Sequence, residues 1–295
     1  MFNGLRYKGP IYRPPSEANS LLVQATIGCP WNKCTFCMVY KNGPKFQIRS
    51  VKEIKEDLSW AKKQYGSYVK TVFFPSGNTI IMKTKEFEEI LKYTKNLFPK
   101  LERITIYGSA QYIVKKGFDD IKKLADAGLS RIHVGLESGS DTVLKNVKKG
   151  STANIQREAG LLVKKAGIEL SEYIVLGLGG KKHSKEHIRD SINVLNDINP
   201  DFIRIRTFLS KINTPILKEI ESGDFQILSP HEILKETYDF INGLQVKSKV
   251  FSDHYTNYVN VCGKMPEDKD KMLIDIKNAL EKDENCFRDA YIGTQ

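Results

Sequence analysis

The stretch Leu21-Leu-Val-Gln-Ala-Thr26, followed by Ile27-Gly-Cys29-Pro-Trp-Asn-Lys-Cys34-Thr-Phe-Cys37, decides the fold. Leu21 to Thr26 is a short apolar run that reads as a strand, and the three cysteines crowd into the loop after it. Working outward, short apolar runs alternate with longer amphipathic ones. Thr71 to Phe74, Ile104 to Tyr107, Ile132 to Leu136, Tyr173 to Leu176 and Phe202 to Phe208 read as further strands. Between them, helices are expected over Ser50 to Gln64, with Ser50 and Glu53 at capping-box spacing, and over Lys85 to Leu97. Another covers Asp119 to Ala127 and stops at Gly128. A helical region from Asp141 to Ala166 breaks near Gly150-Ser151, and a last helix covers Lys185 to Asp197.

Strands that alternate with helices are the signature of a parallel sheet. Six such units predict an α/β fold, a partial (β/α)6 TIM-like barrel rather than the full eight-unit barrel. The expected organisation is a short N-terminal extension (1–19), a core (20–208) and a C-terminal α/β extension (209–295) that covers the barrel. In that extension Ser229-Pro230-His231-Glu232 opens a helix, Val246 to Phe251 adds a strand, and Pro266 to Lys282 is amphipathic.

The chain has 295 residues, 40% hydrophobic and 27% charged, which is ordinary globular composition. The net charge of +11 comes from 36 Lys and 10 Arg against 35 acids. Arg is the forked reader of phosphates and bases, so a Lys-dominated excess fits a solvated surface better than a nucleic-acid footprint. The N-terminus lacks the apolar stretch of a signal peptide, and no run approaches a membrane span. A cytoplasmic chain with no membrane partner is expected.

Five cysteines, three of them within nine residues, make a poor disulfide framework. Thiolates suit zinc or iron–sulfur clusters. Closed zinc sites are usually four-coordinate, and no second Cys pair answers Cys29, Cys34 and Cys37. Three thiolates suit a [4Fe–4S] cluster with one iron open to a small molecule. A zinc knuckle and three incidental thiols are the alternatives.

The strand, the three-Cys loop and the six-unit count resemble the radical S-adenosylmethionine enzymes, whose usual spacing is C-x3-C-x2-C with an aromatic before the last Cys. Here the spacing is C-x4-C-x2-C, with Phe36 in the aromatic position. Gly135-Leu-Glu-Ser-Gly-Ser140 resembles the segment found in the branch with oxygen-independent coproporphyrinogen oxidases, Elongator-like proteins and methylthiotransferases. The resemblance spans about Ser20 to Phe208. It implies that Cys29, Cys34 and Cys37 ligate a [4Fe–4S] cluster, and that its open iron chelates S-adenosylmethionine. It places Phe36 near the adenine. It also places Ser76, Gly77 and Asn78 where the family's "GGE" segment meets the methionine amino group, although that segment's acid is missing here. Glu137 falls at a ribose- or methionine-contacting position, and Gly177 at the middle glycine of a G-x-I-x-G-x-x-E motif whose last acid is Gly180 here.

Two site features are read from the residues themselves. Arg204 and Arg206 fall on one strand face with period two, where they need anions: the S-adenosylmethionine carboxylate or an acidic substrate group. The alternative is a pair salt-bridged to acids such as Glu172. Tyr12 before the first strand, and His254, Tyr255 and Tyr258 after the last, are the candidates for radical relay or proton handling; a polar turn closing the barrel is the alternative for the second group.

The resemblance implies reductive cleavage of S-adenosylmethionine and a 5′-deoxyadenosyl radical that takes hydrogen from a substrate. The expected partners are a small molecule, with an anionic group if the arginines bind it, and an electron donor of flavodoxin or ferredoxin type. Two leftover cysteines argue against a usual second cluster and so against methylthiotransferases. An RNA-modifying enzyme and, further behind, a zinc-stabilised binding module remain as alternatives.

Overall fold

The computed structural model describes residues 4–210 and 213–288. In chain order the elements are β1 (Leu21–Leu22), β2 (Thr26–Ile27), β3 (Gln47–Ile48), α1 (Val51–Tyr65), β4 (Thr71–Phe74), α2 (Thr84–Leu97), β5 (Arg103–Gly108), α3 (Ala110–Lys116), α4 (Phe118–Ala127) and β6 (Arg131–Glu137). They continue with α5 (Asp141–Asn146), α6 (Ala153–Lys165), β7 (Glu169–Leu176), α7 (Gly180–Ile198), β8 (Phe202–Thr207), α8 (Ile216–Glu221), α9 (Pro230–Gly243), β9 (Lys249–Phe251), β10 (Cys262–Lys264) and α10 (Lys269–Leu280). No helix among the described residues is long and apolar enough to cross a membrane.

The chain divides into two compact units. The described part of the first comprises residues 4–32, 42–134 and 161–170. Its sheet runs β1-β4-β5-β6, each neighbouring pair parallel. Alternation sorts the side chains: Phe74 meets Phe87 of α2 with ring centroids 5.6 Å apart, while Phe73 turns the other way, towards Tyr107 (5.1 Å) and His133 (6.0 Å). Ile54, Leu58, Phe87, Ile90 and Leu91 are fully buried, each contributing roughly 1.5–3 kcal/mol on leaving water. Ser50 and Glu53 close the expected capping box, a device of about 1 kcal/mol.

The second unit comprises residues 33–41, 135–160 and 171 onward. From the end of β6 its strand order is β6-β7-β8-β9-β10; β7, β8 and β9 pair in parallel and β10 returns antiparallel. α9 packs on α7 and α10, and its Ser229–Glu232 capping box forms as read from the sequence.

The six expected strands appear as β1, β4, β5, β6, β7 and β8, an α/β architecture of the partial (β/α)6 TIM-like kind. The first is shorter than Leu21 to Thr26. Beyond Leu22 the Gln24 amide bonds Lys8 on both its N–H (2.8 Å) and its C=O (3.0 Å), and Thr26 and Ile27 leave to pair antiparallel with β3. α7 starts at Gly180 rather than Lys185, because Gly177 and Gly180, at φ of 79° and 57°, turn the chain straight into it.

Candidate functional site

The cysteine loop begins in the first unit. Gly77, just past β4, donates its N–H to the Gly28 carbonyl at 3.1 Å. A Cβ there would lie 2.5 Å from that oxygen and 2.8 Å from Cys29 Cα, so only glycine allows this approach. Asn32 N–H points at the Cys29 sulfur (3.4 Å). Ser76 is buried at φ 82° and takes a hydrogen bond from Gln24 (3.0 Å). Asn78 is also buried, but its amide is spent on Ser109, donating to the hydroxyl (3.0 Å) and accepting from the backbone N–H (3.1 Å). Its side chain therefore fixes the turn after β5, and what it offers a ligand is backbone. Tyr12, in the same unit, has an exposed ring.

The second unit holds Cys34 and Cys37. Thr35 donates to Val147 O (2.9 Å) and accepts from Ile216 N–H (3.1 Å), while Phe36 packs against Val143, Val147, Val175, Leu178, Phe208 and Ile216. None of the three loop thiols is in a disulfide, and all are half-buried. Among the described residues no three His, Cys, Asp or Glu side chains converge as a preformed metal cage.

Glu137 ends β6 in a left-handed conformation, φ 62°, and accepts a hydrogen bond from Lys149 Nζ at 2.9 Å. A Cβ on Gly135 would run into both groups. Burial favours loss of the Lys149 proton, but the charges of Glu137, Cys34 and Cys37 override it and hold the ammonium more firmly than usual. Glu137 is therefore not the helix cap; Ser140 caps α5 by accepting from Val143 N–H (3.2 Å). Glu172 lies on the face of β7 opposite Tyr173 and is fully buried, and burial keeps its carboxyl well above the ordinary range. His187 bridges Ser138 (2.8 Å) and Val175 O (3.1 Å), and burial depresses it to about 4, so it is neutral.

The turn after β7 is clamped from α9. Glu236 accepts from Gly177 N–H (2.7 Å) and from Ser184 Oγ (2.6 Å), and a Cβ on Gly177, at φ 79°, would meet the Ile233 methyl at 2.7 Å. The sequence motif lacks an acid at Gly180, and a distant helix delivers one to the same turn. Burial pushes Glu236 up to about 7 against two opposing hydrogen bonds, with Asp239 and Glu232 adding repulsion. The stability that its neutral form contributes is complete below the ordinary value of 4.5 and is lost as pH rises through about 7. Glu236→Gln should remove that pH dependence: its melting temperature should stay level from about pH 5 to about pH 8 relative to wild type, which declines. Parallel curves for the two proteins would refute the assignment.

On β8, Arg204 and Arg206 share a face with Tyr173 and Val175 through the register. Glu172 is not their partner: Arg204 faces Asp253 at 3.7 Å and lies over Phe251, and Arg206 lies over Tyr173. His254 Nδ1 is 2.8 Å from Thr256 Oγ1 and its ring stacks near Tyr255, which is exposed. Tyr258 packs on Phe287 under the Arg288 guanidinium.

The family model described as the Radical SAM superfamily matches residues 23–195, more than half of the sequence. The chain belongs to the radical SAM superfamily. It is similar to an uncharacterised methyltransferase of Pyrococcus horikoshii, 24% identical over 61% of this chain and 38% of that one. A tRNA-2-methylthio-N(6)-dimethylallyladenosine synthase of Buchnera aphidicola is 27% identical over 68% of this chain and 48% of that one. The matched stretches thus span less than two-thirds of these relatives. Among solved structures, coproporphyrinogen III oxidase from Escherichia coli, a radical SAM enzyme, superposes with a TM-score of 0.54 at 16% identity, covering 76% of this chain and 52% of that one, which supports the shared fold.

As a radical SAM enzyme, the protein uses a [4Fe–4S] cluster and S-adenosylmethionine; enzymes of this superfamily generally need a reductant and a substrate. The residues present fit these cofactors. Three unbridged thiols lie on one loop, a glycine-only approach lines Cys29, and a firmly protonated ammonium stands in the field of Cys34 and Cys37. Lys149 and Glu236 were not singled out from the sequence. Lys149 is one lysine among 36, distinguished only by standing beside the Gly150 break, and Glu236 lies 59 residues from the Gly177 it bonds.

Proposed function

We propose that this radical SAM enzyme abstracts a hydrogen atom from a small-molecule substrate, with Cys29, Cys34 and Cys37 as the cluster ligands and an electron donor of flavodoxin or ferredoxin type. Held by these three thiolates, a [4Fe–4S] cluster would supply the single electron for reductive cleavage of bound S-adenosylmethionine, the source of the hydrogen-abstracting radical.

The observation that carries the reading is the Glu137–Lys149 pair beside Cys34 and Cys37. An amino-acid zwitterion matches it charge for charge: Lys149 is suited to the carboxylate and Glu137 to the ammonium. Gly77, Ser76 and Asn78 offer backbone close to Cys29. Phe36 and Val175 contribute an apolar wall for a base and help to keep water out.

Support for a small molecule over RNA comes from the surface lysines. Many of them pair with acids, as in Lys70–Glu102, Lys92–Glu88, Lys123–Asp120 and Lys264–Glu267, which neutralises the charge locally. The likeness to a tRNA-modifying synthase favours RNA as the second reading. Salt-dependent tRNA binding that is lost with surface Lys→Gln substitutions would decide for RNA.

The test of the chemistry is a protein with Cys29, Cys34 and Cys37 all changed to Ala, prepared anaerobically. Wild type should carry iron and sulfide and release methionine from S-adenosylmethionine under reduction. The variant should keep its circular dichroism but lose both properties, and retention of either would sink the proposal.

A further inference from the structure

The inner half of β8 holds more positive charge than its surroundings balance. Arg204 and Arg206 stand two residues apart, so both guanidinium groups leave the same face. Arg204 is only 6% exposed. Its ion-pair partner, Asp253, is 3.7 Å away, beyond hydrogen-bond reach, and its Nε has no hydrogen-bond acceptor among the described residues. Its guanidinium lies 4.9 Å from the Phe251 ring centre. Arg206 makes no ion pair among the described residues and lies 5.3 Å from the Tyr173 ring centre. Among the described residues, the two cations of this face thus have one ion-pair partner between them, a partly exposed carboxylate 3.7 Å from Arg204. Glu172 of β7 points to the opposite face.

Aromatic faces hold a guanidinium flat and leave its N–H edge open. A charged group withdrawn from water and short of acceptors is unfavourable unless a guest supplies them. The loop that brings Asp253 is itself pinned to β8. Thr256 accepts from Thr207 N–H (3.3 Å), and Asn257 donates to Ile205 O (2.8 Å) and accepts from Thr207 Oγ1 (3.1 Å). The acid is thus placed beside Arg204, yet too far off to satisfy it.

We propose that Arg204 and Arg206 form a subsite for an anionic group of the substrate, a carboxylate or a phosphate. Asp253 is the weak internal partner that holds Arg204 until the anion arrives. Forked N–H edges match either anion. The group belongs to the substrate rather than to the cofactor, because the second unit already offers Glu137 and Lys149 to the amino-acid end of S-adenosylmethionine. This inference rests on the small-molecule reading above, and its test is separable from it.

The experiment measures equilibrium binding of two probes, inorganic phosphate and tricarballylate, to the anaerobically prepared holoprotein at constant ionic strength. One of the two should saturate a single site, and which one does identifies the group. Arg206→Gln should weaken that binding about ten-fold or more, the loss of a charge-assisted hydrogen bond. Asp253→Asn should tighten it, since the internal competitor is gone. S-adenosylmethionine affinity should be unchanged by Arg206→Gln. Arg204→Gln is the more buried change and is read only alongside its circular dichroism; Arg206→Gln and Asp253→Asn carry the test. The proposal is overturned if neither probe saturates, if Arg206→Gln binds the probe as wild type does, if Asp253→Asn weakens binding, or if Arg206→Gln lowers the affinity for S-adenosylmethionine. A protein that binds the anion through these arginines but fails to hold iron or cleave S-adenosylmethionine would refute the functional reading while leaving the subsite standing.

Discussion

Lys149→Met should weaken S-adenosylmethionine binding by about ten- to a hundred-fold, the usual worth of a hydrogen bond to a charged group in a sheltered site. Met keeps the length and apolar stem of the side chain and removes only the ammonium. Two consequences follow in the second unit. Glu137 loses the donor at 2.9 Å while remaining only 16% exposed. Removing one partner of a buried pair typically costs about 3–5 kcal/mol, with the lower end applying here because some water reaches both groups. Cys34 and Cys37 also lose the positive charge that faces them, so iron retention should fall. Three measurements separate these effects: cofactor affinity by equilibrium dialysis, iron per chain, and urea unfolding. Lys149→Arg should recover much of the affinity, because the charge is kept; a purely steric role would not predict that rescue. A Lys149→Met protein with wild-type affinity and iron content would remove Lys149 from the site.

The contrast between Lys149 and the cysteines shows what a sequence reveals about such a site. The cysteine loop is local: nine residues carry its chemistry and the strand before it fixes its place. The strand count is equally local, since each strand declares itself by apolar runs and each helix by its caps, as Ser50–Glu53 and Ser229–Glu232 do. The departures come from long-range bonds. Gln24 reaches Lys8 and Ser76 and ends the first strand early. Asn78 looked like a ligand position from its place after β4, but its amide is held by Ser109. Arg204 and Arg206 were legible as a pair through period two, whereas Asp253, the neighbour of Arg204, was not, because α8, α9 and β9 intervene. Lys149 and Glu236 act through partners 12 and 59 residues away, and nothing in their immediate sequence marks them.

A bond between residues still further apart in sequence sets the second large effect, on stability. Pro14-Pro15 starts a short turn that carries Glu17 into the first unit, where it is 0% exposed. His133, on the inward face of β6, lies 3.3 Å from Oε1. Ser20 Oγ donates to Oε2 at 2.6 Å, Arg103 donates at 3.2 Å, and Arg131 stands 4.0 Å away. Burial alone would raise this carboxyl, but the hydrogen bonds of His133 and Ser20 and the charge of Arg103 pull it down to about 2. A depressed carboxyl contributes stability that is complete above its ordinary value of 4.5 and disappears as pH falls from there through about 2. A displacement of this size corresponds to about 3 kcal/mol at neutral pH. Glu17→Gln keeps the shape and removes the charge that Arg103 and His133 face, so it should lose about that much stability at pH 7. At about pH 3 the gap should shrink to roughly half or less, because the unfolded wild-type chain has by then protonated Glu17, whereas the folded one does so only near about 2. Urea unfolding of both proteins at about pH 7 and about pH 3 tests this directly. A constant difference across the two pH values would mean that Glu17 is held by packing alone, and that the N-terminal segment is not fastened to the first unit by its charge.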